Sequence, residues 1–306
     1  MPIASRSLPS LQSRTTFSWF MLISANVLWA SSYVAGKFAL RGTSLIIMLT
    51  LRMSISALIL LPLLIMKRGE LKLTRKDIPQ LAVLSLVGFV INKLFEFGGL
   101  ALTTASDVAL LITSESIFTA ALSWVLLREH VKKKTVLALL LGFVGMYLIV
   151  ERSVFPNLPP GGGTLRIVGD LLVVMGLVVE AFYTVRGKTL LVKHSPLLIT
   201  AASITGSVIF WIPVAGWSIL STGWHSPGPL AWISICWLAL MTTVIAYLAW
   251  FQGLSKIDGS AAASTLFIQP LFGTLLAIVL LNDQLSIMTV VGGLLIAISV
   301  YMISRQ

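Results

Sequence analysis

Residues 108–127, VALLITSESIFTAALSWVLL, form a run of twenty with one charge, Glu115, near the middle. As a helix rising ~1.5 Å per residue, the run covers ~30 Å, the hydrocarbon thickness of a bilayer. An acid at that depth costs at least ~2.5 kcal/mol on insertion scales. A span that keeps one therefore needs a reason, and the reason depends on the rest of the chain.

The chain has 306 residues, 57% hydrophobic and 11% charged, with a mean hydropathy of +0.96. Soluble domains carry roughly 25% charged residues, so this composition points to an integral membrane protein crossing the bilayer many times. The net charge of +11 is spread over short connections between apolar runs and forms no contiguous basic face, so nucleic acid is not expected as a partner. The one cysteine, Cys236, lies inside an apolar run, and a single thiol excludes an intrachain disulfide. His130, His194 and His225 fall in separate connections, too scattered for a metal site. The glycines in VFPNLPPGGGTL (residues 154–165) precede no GK[ST], so they mark a linker and not a phosphate loop. No cofactor is implied.

Ten apolar runs have the length of membrane helices: 17–40, 44–66, 80–102, 107–127, 135–150, 167–185, 196–220, 230–253, 260–281 and 286–304. The first is too long for a signal-peptide core and is read as a retained span. The tail before it, residues 1–16, is rich in Ser and Pro and reads as disordered. Of the 22 Lys and Arg, sixteen lie in the connections on the side of the N-terminus. Arg41, Arg152 and Arg166 lie on the opposite side, and Lys37, Arg52 and Lys93 lie within spans. This bias places both termini in the cytoplasm.

The two halves of the chain align. An offset of 151 carries Gly36-Lys37 onto Gly187-Lys188 and Pro62 onto Pro213. From the third span an offset of 154 carries Gly99-Leu100 onto Gly253-Leu254 and Phe118 onto Phe272. Five spans per half is an odd number, so the second half enters the membrane inverted. The fold expected is all-α: ten transmembrane helices as two inverted five-helix repeats, residues 17–150 and 167–304, joined by an external linker over 151–166. Such repeats hold their substrate near midplane between the halves.

Over nearly its whole length the chain resembles the EamA family of the drug/metabolite transporter superfamily. The resemblance rests on WASSYVAGKFAL, LRMSISALIL, GGLALTTASDVALL and LSWVLLREHV in the first half. GLSKIDGSAAASTLFIQPLFGTLLAIVLLNDQL carries it in the second. It implies two inverted units around a central cavity, in a bacterial cytoplasmic (inner) membrane carrier of amino acids or other small metabolites. The family commonly has a proline in the middle of the fourth span, as the ninth has at Pro270. Here Ser116 takes that place, so the fourth span lacks a sequence warrant for a kink. Glu115 aligns with Gln269, which puts a polar side chain at equivalent depth in both halves.

The other polar residues at depth are Lys37, Arg52, Asn92, Lys93, Glu96 and Glu180. Asn92 and Glu96 share a helical face, and Lys93 is spaced to pair with Glu96. The repeat carries Lys93 onto Tyr247 and Glu96 onto Trp250, and in the sixth span it aligns Glu180 with Trp29 and Tyr183 with Ser32. Aromatic faces, fixed cations and a carboxylate suit a zwitterionic or amphipathic metabolite. Lys37 and Arg52 serve equally well as helix locks or snorkelling cations, and Glu115 as a structural partner for Lys93, Arg52 or Lys37. Pro270 is the best-placed hinge for gating.

The function these residues point to is secondary export of small metabolites, with amino acids the expected class. A carboxyl removed from water holds its proton more readily, so Glu115, or Glu96 or Glu180 in its place, is a candidate to exchange protons with substrate. Lipids are the other expected partner, and the carrier works as a monomer or a weak homodimer. A membrane-embedded lipid or prenyl transferase would show acidic metal-binding clusters, and DDxxD, HExxH and GxSxG runs do not occur. A channel would line a continuous pore, usually by oligomeric symmetry.

Overall fold

The computed structural model describes residues 11–66, 74–115, 117–119, 121–122, 137, 140–142, 144–145, 148, 162–257, 262, 264–282 and 287–304. Most of the fifth span, linker residues 151–161 and Ser116 lie outside the described residues. Within them every regular element is helical.

The first span is a bent rod of α1 (Leu11–Ala30) and α2 (Ser32–Gly42). At the bend the hydroxyls of Ser31 and Ser32 donate to the carbonyls of Leu28 (2.7 Å) and Trp29 (2.6 Å). Such back-bonding competes with the helical ladder and bends it. Next come α3 (Leu45–Met66), then α4 (Ile78–Leu86) and α5 (Asn92–Leu102), joined by a π-helical segment, Val87–Ile91. The fourth span starts as α6 (Ala105–Leu111) and tightens to a 3₁₀ turn at Ile112–Ser114.

In the second half, α7 (Gly162–Leu191) precedes α8 (Pro196–Thr222). Ser195 caps α8 by accepting from the Leu198 N–H (3.2 Å), with Pro196 at the first helical position. Then α9 (Pro229–Trp237) and α10 (Ala246–Leu254) flank a second π segment, Leu238–Ile245. A 3₁₀ turn at Ser264–Phe267 leads into α11 (Ile268–Leu281), and α12 (Ile287–Ser304) follows.

Two sequence expectations are corrected. The tail is helical from Leu11, because nothing between Pro9 and Phe17 breaks a helix and propagation past a formed turn is cheap. The sixth helix is longer than 167–185 and takes in the last residues of the linker from Gly162, so that Arg166 reaches Asp107 (Nε to Oδ2 2.8 Å).

The backbone irregularities recur with the repeat. The offset of 154 carries Val87–Ile91 into Leu238–Ile245, and it carries the first 3₁₀ turn onto the end of the second. The fourth span therefore breaks its α-helix just before Glu115 without needing a proline. Packing is exchanged between halves as well. The first rod lies on the eighth span through α1 with α10 and α2 with α9, α5 lies on α7, and α3 lies on α8.

Among the described residues five helices are long and apolar enough to cross a membrane: Thr16–Gly42, Leu45–Met66, Ile78–Leu102, Pro196–Thr222 and Pro229–Leu254. Their outer faces are apolar, with Leu58, Ile209 and Trp217 each more than 70% exposed, whereas Arg52, Lys93 and Glu115 are no more than 7% exposed. Apolar side chains outside and charges inside are what a bilayer solvent selects. The chain is a multi-pass membrane protein of helical fold.

Beyond the spans, Asp77 fastens the turn before α4. Its Oδ2 accepts from the Thr74 hydroxyl (2.6 Å) and N–H (2.9 Å), and His194 Nε2 lies 3.3 Å from Oδ1. The two Thr74 bonds, helped by His194, lower its pKa from 3.8 to about 2. The unfolded chain then binds the proton more readily, so this contribution to stability is complete above pH ~4–5 and is lost as the pH falls towards 2. In detergent, Asp77→Asn is expected to flatten the acid limb of the melting temperature over that window. An unchanged acid limb would contradict the assignment.

Candidate functional site

The site starts from the close approach of α5 and α7. A Cβ on Gly99 would stand 2.5 Å from the Gly169 carbonyl oxygen, and one on Gly176 would stand 3.2 Å from the Glu96 nitrogen. At Gly99 no larger residue fits without a shift of backbone, at Gly176 the fit is tight, and this spacing brings the acids of both helices to one cation. Lys93 Nζ lies 2.6 Å from Glu96 Oε2 and 3.7 Å from Glu180 Oε2. The Tyr247 hydroxyl donates to Glu180 Oε1 (3.2 Å), and Lys93 stands 5.7 Å from the centre of the Tyr247 ring. Asn92 donates through Nδ2 to the Gly176 carbonyl (2.9 Å).

The π segments add further bonds between the two halves. A π turn leaves carbonyls out of the regular ladder, and an indole from the other half serves one in each segment. Trp211 donates to the Phe89 carbonyl and Trp29 to the Thr242 carbonyl, both at 2.9 Å. In the second segment the hydroxyls of Thr243 and Thr242 accept from Arg52 Nε (2.8 Å) and Nη2 (3.2 Å), and the guanidinium carbon lies 4.8 Å from the Phe97 ring centre. Trp29 packs against both Tyr247 and Trp250, with ring centres 5.1 and 5.4 Å apart.

Glu115 accepts a long hydrogen bond from the Thr184 hydroxyl (3.4 Å). Among the described residues it makes no ion pair, since Lys93 and Arg52 are engaged elsewhere. Its repeat counterpart Gln269 belongs to a buried relay. Tyr33 donates to Gln269 Oε1 (2.9 Å), Gln269 Nε2 to Asn26 Oδ1 (2.7 Å), and Asn26 Nδ2 to the Thr265 hydroxyl (2.8 Å).

Arg52, Lys93, Glu96, Glu115 and Glu180, with Asn92, Thr184, Gln269 and the rings of Trp29, Tyr33, Tyr247 and Trp250, line one cavity of about 490 Å³ of empty space, its open mouth included. Of the residues singled out in the sequence whose side chains are described, all but Tyr183 and Lys37 line it. Tyr183 is buried one layer back, packed on Gly88 and against the Phe89 and Phe251 rings. Lys37 is half-buried, one turn beyond Tyr33 on α2. Pro270 lies in the first turn of α11, after the 3₁₀ turn, where its missing N–H costs no helical bond. Sequence reasoning missed Tyr33 and Thr184 in the lining and Asn26 behind it. Thr184 was legible as the residue one helical turn beyond Glu180, on the same face.

The cavity is polar, holds three carboxyls and two cations, and is walled by aromatic rings inside an apolar helical bundle. It offers no cluster of His, Cys, Asp and Glu able to hold a metal among the described residues.

The profile of the EamA-like transporter family matches residues 16–151 and again 167–305. An uncharacterized transporter of Archaeoglobus fulgidus is 27% identical over 92% of this chain and 94% of its own length. The S-adenosylmethionine/S-adenosylhomocysteine transporter of Chlamydia muridarum is 27% identical over 87% of this chain and 84% of its own. A crystal structure with 17% identity superposes with a TM-score of 0.66, covering 96% of both chains.

Proposed function

We propose that the chain, which belongs to the EamA-like transporter family, is a secondary carrier of small organic metabolites in the bacterial cytoplasmic membrane, with amino acids or compounds bearing an amino acid group as substrates. The observation that carries this is the buried polar cavity at the junction of the two halves, inside a bundle whose outer surface is apolar. Alternating access accounts for it: two inverted five-span halves rock about a site near midplane. The matched π segments, the exchanged helix pairing and the double family match support the inversion. The bias of Lys and Arg supports cytoplasmic termini. The relative named for S-adenosylmethionine and S-adenosylhomocysteine supports the substrate class, since both compounds carry an α-amino acid group.

Glu115 is the coupling acid. It is buried, makes no ion pair among the described residues, and shares the cavity with two further acids, so a proton taken up there removes an uncompensated charge. In proteoliposomes, an imposed pH gradient is expected to stimulate uptake by wild type several-fold and to leave Glu115→Gln unstimulated. Equal stimulation of both would remove Glu115 from the coupling role. Absence of saturable counterflow by wild type, for any amino acid tested, would overturn the substrate class.

A further inference from the structure

Three residues that line the cavity each carry a buried polar atom with no described hydrogen-bond partner: Arg52 Nη1, Asn92 Oδ1 and Glu180 Oε2. Their side chains are otherwise held. Two guanidinium nitrogens of Arg52 rest on neutral threonine hydroxyls, Asn92 is fixed through its amide nitrogen, and Glu180 through its other oxygen. Each anchor sets the orientation of its group and leaves one atom over. Lys93 Nζ stands 3.7 Å from Glu180 Oε2, within ion-pairing reach but beyond a hydrogen bond, so that oxygen keeps its hydrogen-bonding capacity. Buried polar atoms are nearly always hydrogen-bonded, so three without such a bond on residues lining one cavity call for a partner.

The orphans are of two kinds. Arg52 offers a donor with a full positive charge, and the cavity's acids are already directed to other donors: Glu96 to Lys93, Glu180 to Tyr247 and Glu115 to Thr184. Asn92 and Glu180 offer acceptors, beside the aromatic faces of Trp29, Tyr247 and Trp250 that favour a cation. A guanidinium with a free edge recognises a planar carboxylate, and carboxylate and amide oxygens recognise an ammonium.

We infer that Arg52 binds the carboxylate of a zwitterionic substrate while Glu180 and Asn92 bind its ammonium group, so that the ammonium is read by both halves of the repeat pair and the carboxylate by the first. This rests on the carrier function proposed above and assigns the residues that set specificity within it. A merely structural Arg52, locking α3 to the second π segment, would give no preference between an acid and its amide.

The test uses the full-length protein in detergent and in liposomes, with three probes per side chain. These are the amino acids alanine, leucine and methionine, their primary amides, and the carboxylic acids lacking the amino group. Wild type is expected to bind each amino acid at least tenfold more tightly than either analogue, read by competition and by thermal shift. Arg52→Gln should lose the preference over the amide and keep the preference over the deaminated acid. Glu180→Gln should do the reverse, and Arg52→Lys, which keeps the charge but not the fork, should fall between. Equal binding of acid and amide by wild type overturns the inference, as does an acid preference that survives in Arg52→Gln. If wild type shows no acid preference yet still counterflows the amino acids, the inference falls alone. If it neither prefers nor carries them, both fall.

Discussion

Lys93→Met is expected to cost about 3–5 kcal/mol of stability, because it strands Glu96 and Glu180 without the cation they share. Both ends of the Lys93–Glu96 pair are at least nine-tenths buried, so solvent does little to soften the loss. The cost belongs to the broken pair and not to the absence of charge. Lys93→Met combined with Glu96→Gln should therefore recover much of the melting temperature, leaving Glu180 with its Tyr247 bond. Removing a merely superficial pair would cost ~1 kcal/mol or less, with no rescue in the double variant. Counterflow should be lost in the single variant and not restored in the double, since the cavity would still lack its central cation. Equal stability of Lys93→Met and wild type would show that the three groups do not form one electrostatic unit.

The second large effect is steric. Gly99→Ala is expected to destabilise by several kcal/mol, at or above the upper end of the ~1–3 kcal/mol usual for overpacking. The atoms it meets are backbone, the Gly169 carbonyl oxygen at 2.5 Å and the Val173 nitrogen at 2.9 Å, and a helix cannot move these without separating α5 from α7. Its neighbour provides the control. A Cβ on Gly98 would meet nothing nearer than a Leu45 methyl at 3.6 Å, so Gly98→Ala should be neutral or gain up to ~1 kcal/mol of helix propensity. Thermal unfolding in detergent separates the two. Similar melting temperatures for both variants would contradict the close α5–α7 packing that assembles Lys93, Glu96 and Glu180.

Much of this site was legible before any coordinates because charge at membrane depth is expensive and therefore informative. Lys93 and Glu96 are paired as their spacing requires. Tyr247, Trp250 and Gln269, which the offset of 154 aligns with Lys93, Glu96 and Glu115, line the same cavity as those three. What was not legible depends on helix rotation and on neutral polar groups. Tyr183 and Thr184 follow one another, and only Thr184 shares the face of Leu177 and Glu180. Asn26 and Tyr33 are too ordinary in a membrane span to stand out, yet they supply the relay that holds Gln269.

The fold shows the same division. Apolar runs located the five helices long enough to cross the membrane, and the repeat was visible as ordered identities between halves. The π segments left no such mark, since they arise where tertiary partners such as the Trp211 and Trp29 indoles take up the displaced carbonyls. The break before Glu115 came without a proline. There the Ser114 hydroxyl donates back to the Leu111 carbonyl (2.6 Å), as the serines of the first rod do at their bend.

The account depends on one cavity being reached in turn from both faces of the membrane, and thiol accessibility measures this most directly. With the native thiol removed by Cys236→Ser, a single cysteine at Ser32, on the cavity wall, would be exposed to a membrane-impermeant reagent from either side of sealed vesicles. The expected result is labelling from both sides, slowed on each by a transported amino acid. Labelling from one side alone, or on both sides without any protection by solute, would contradict alternating access at this site.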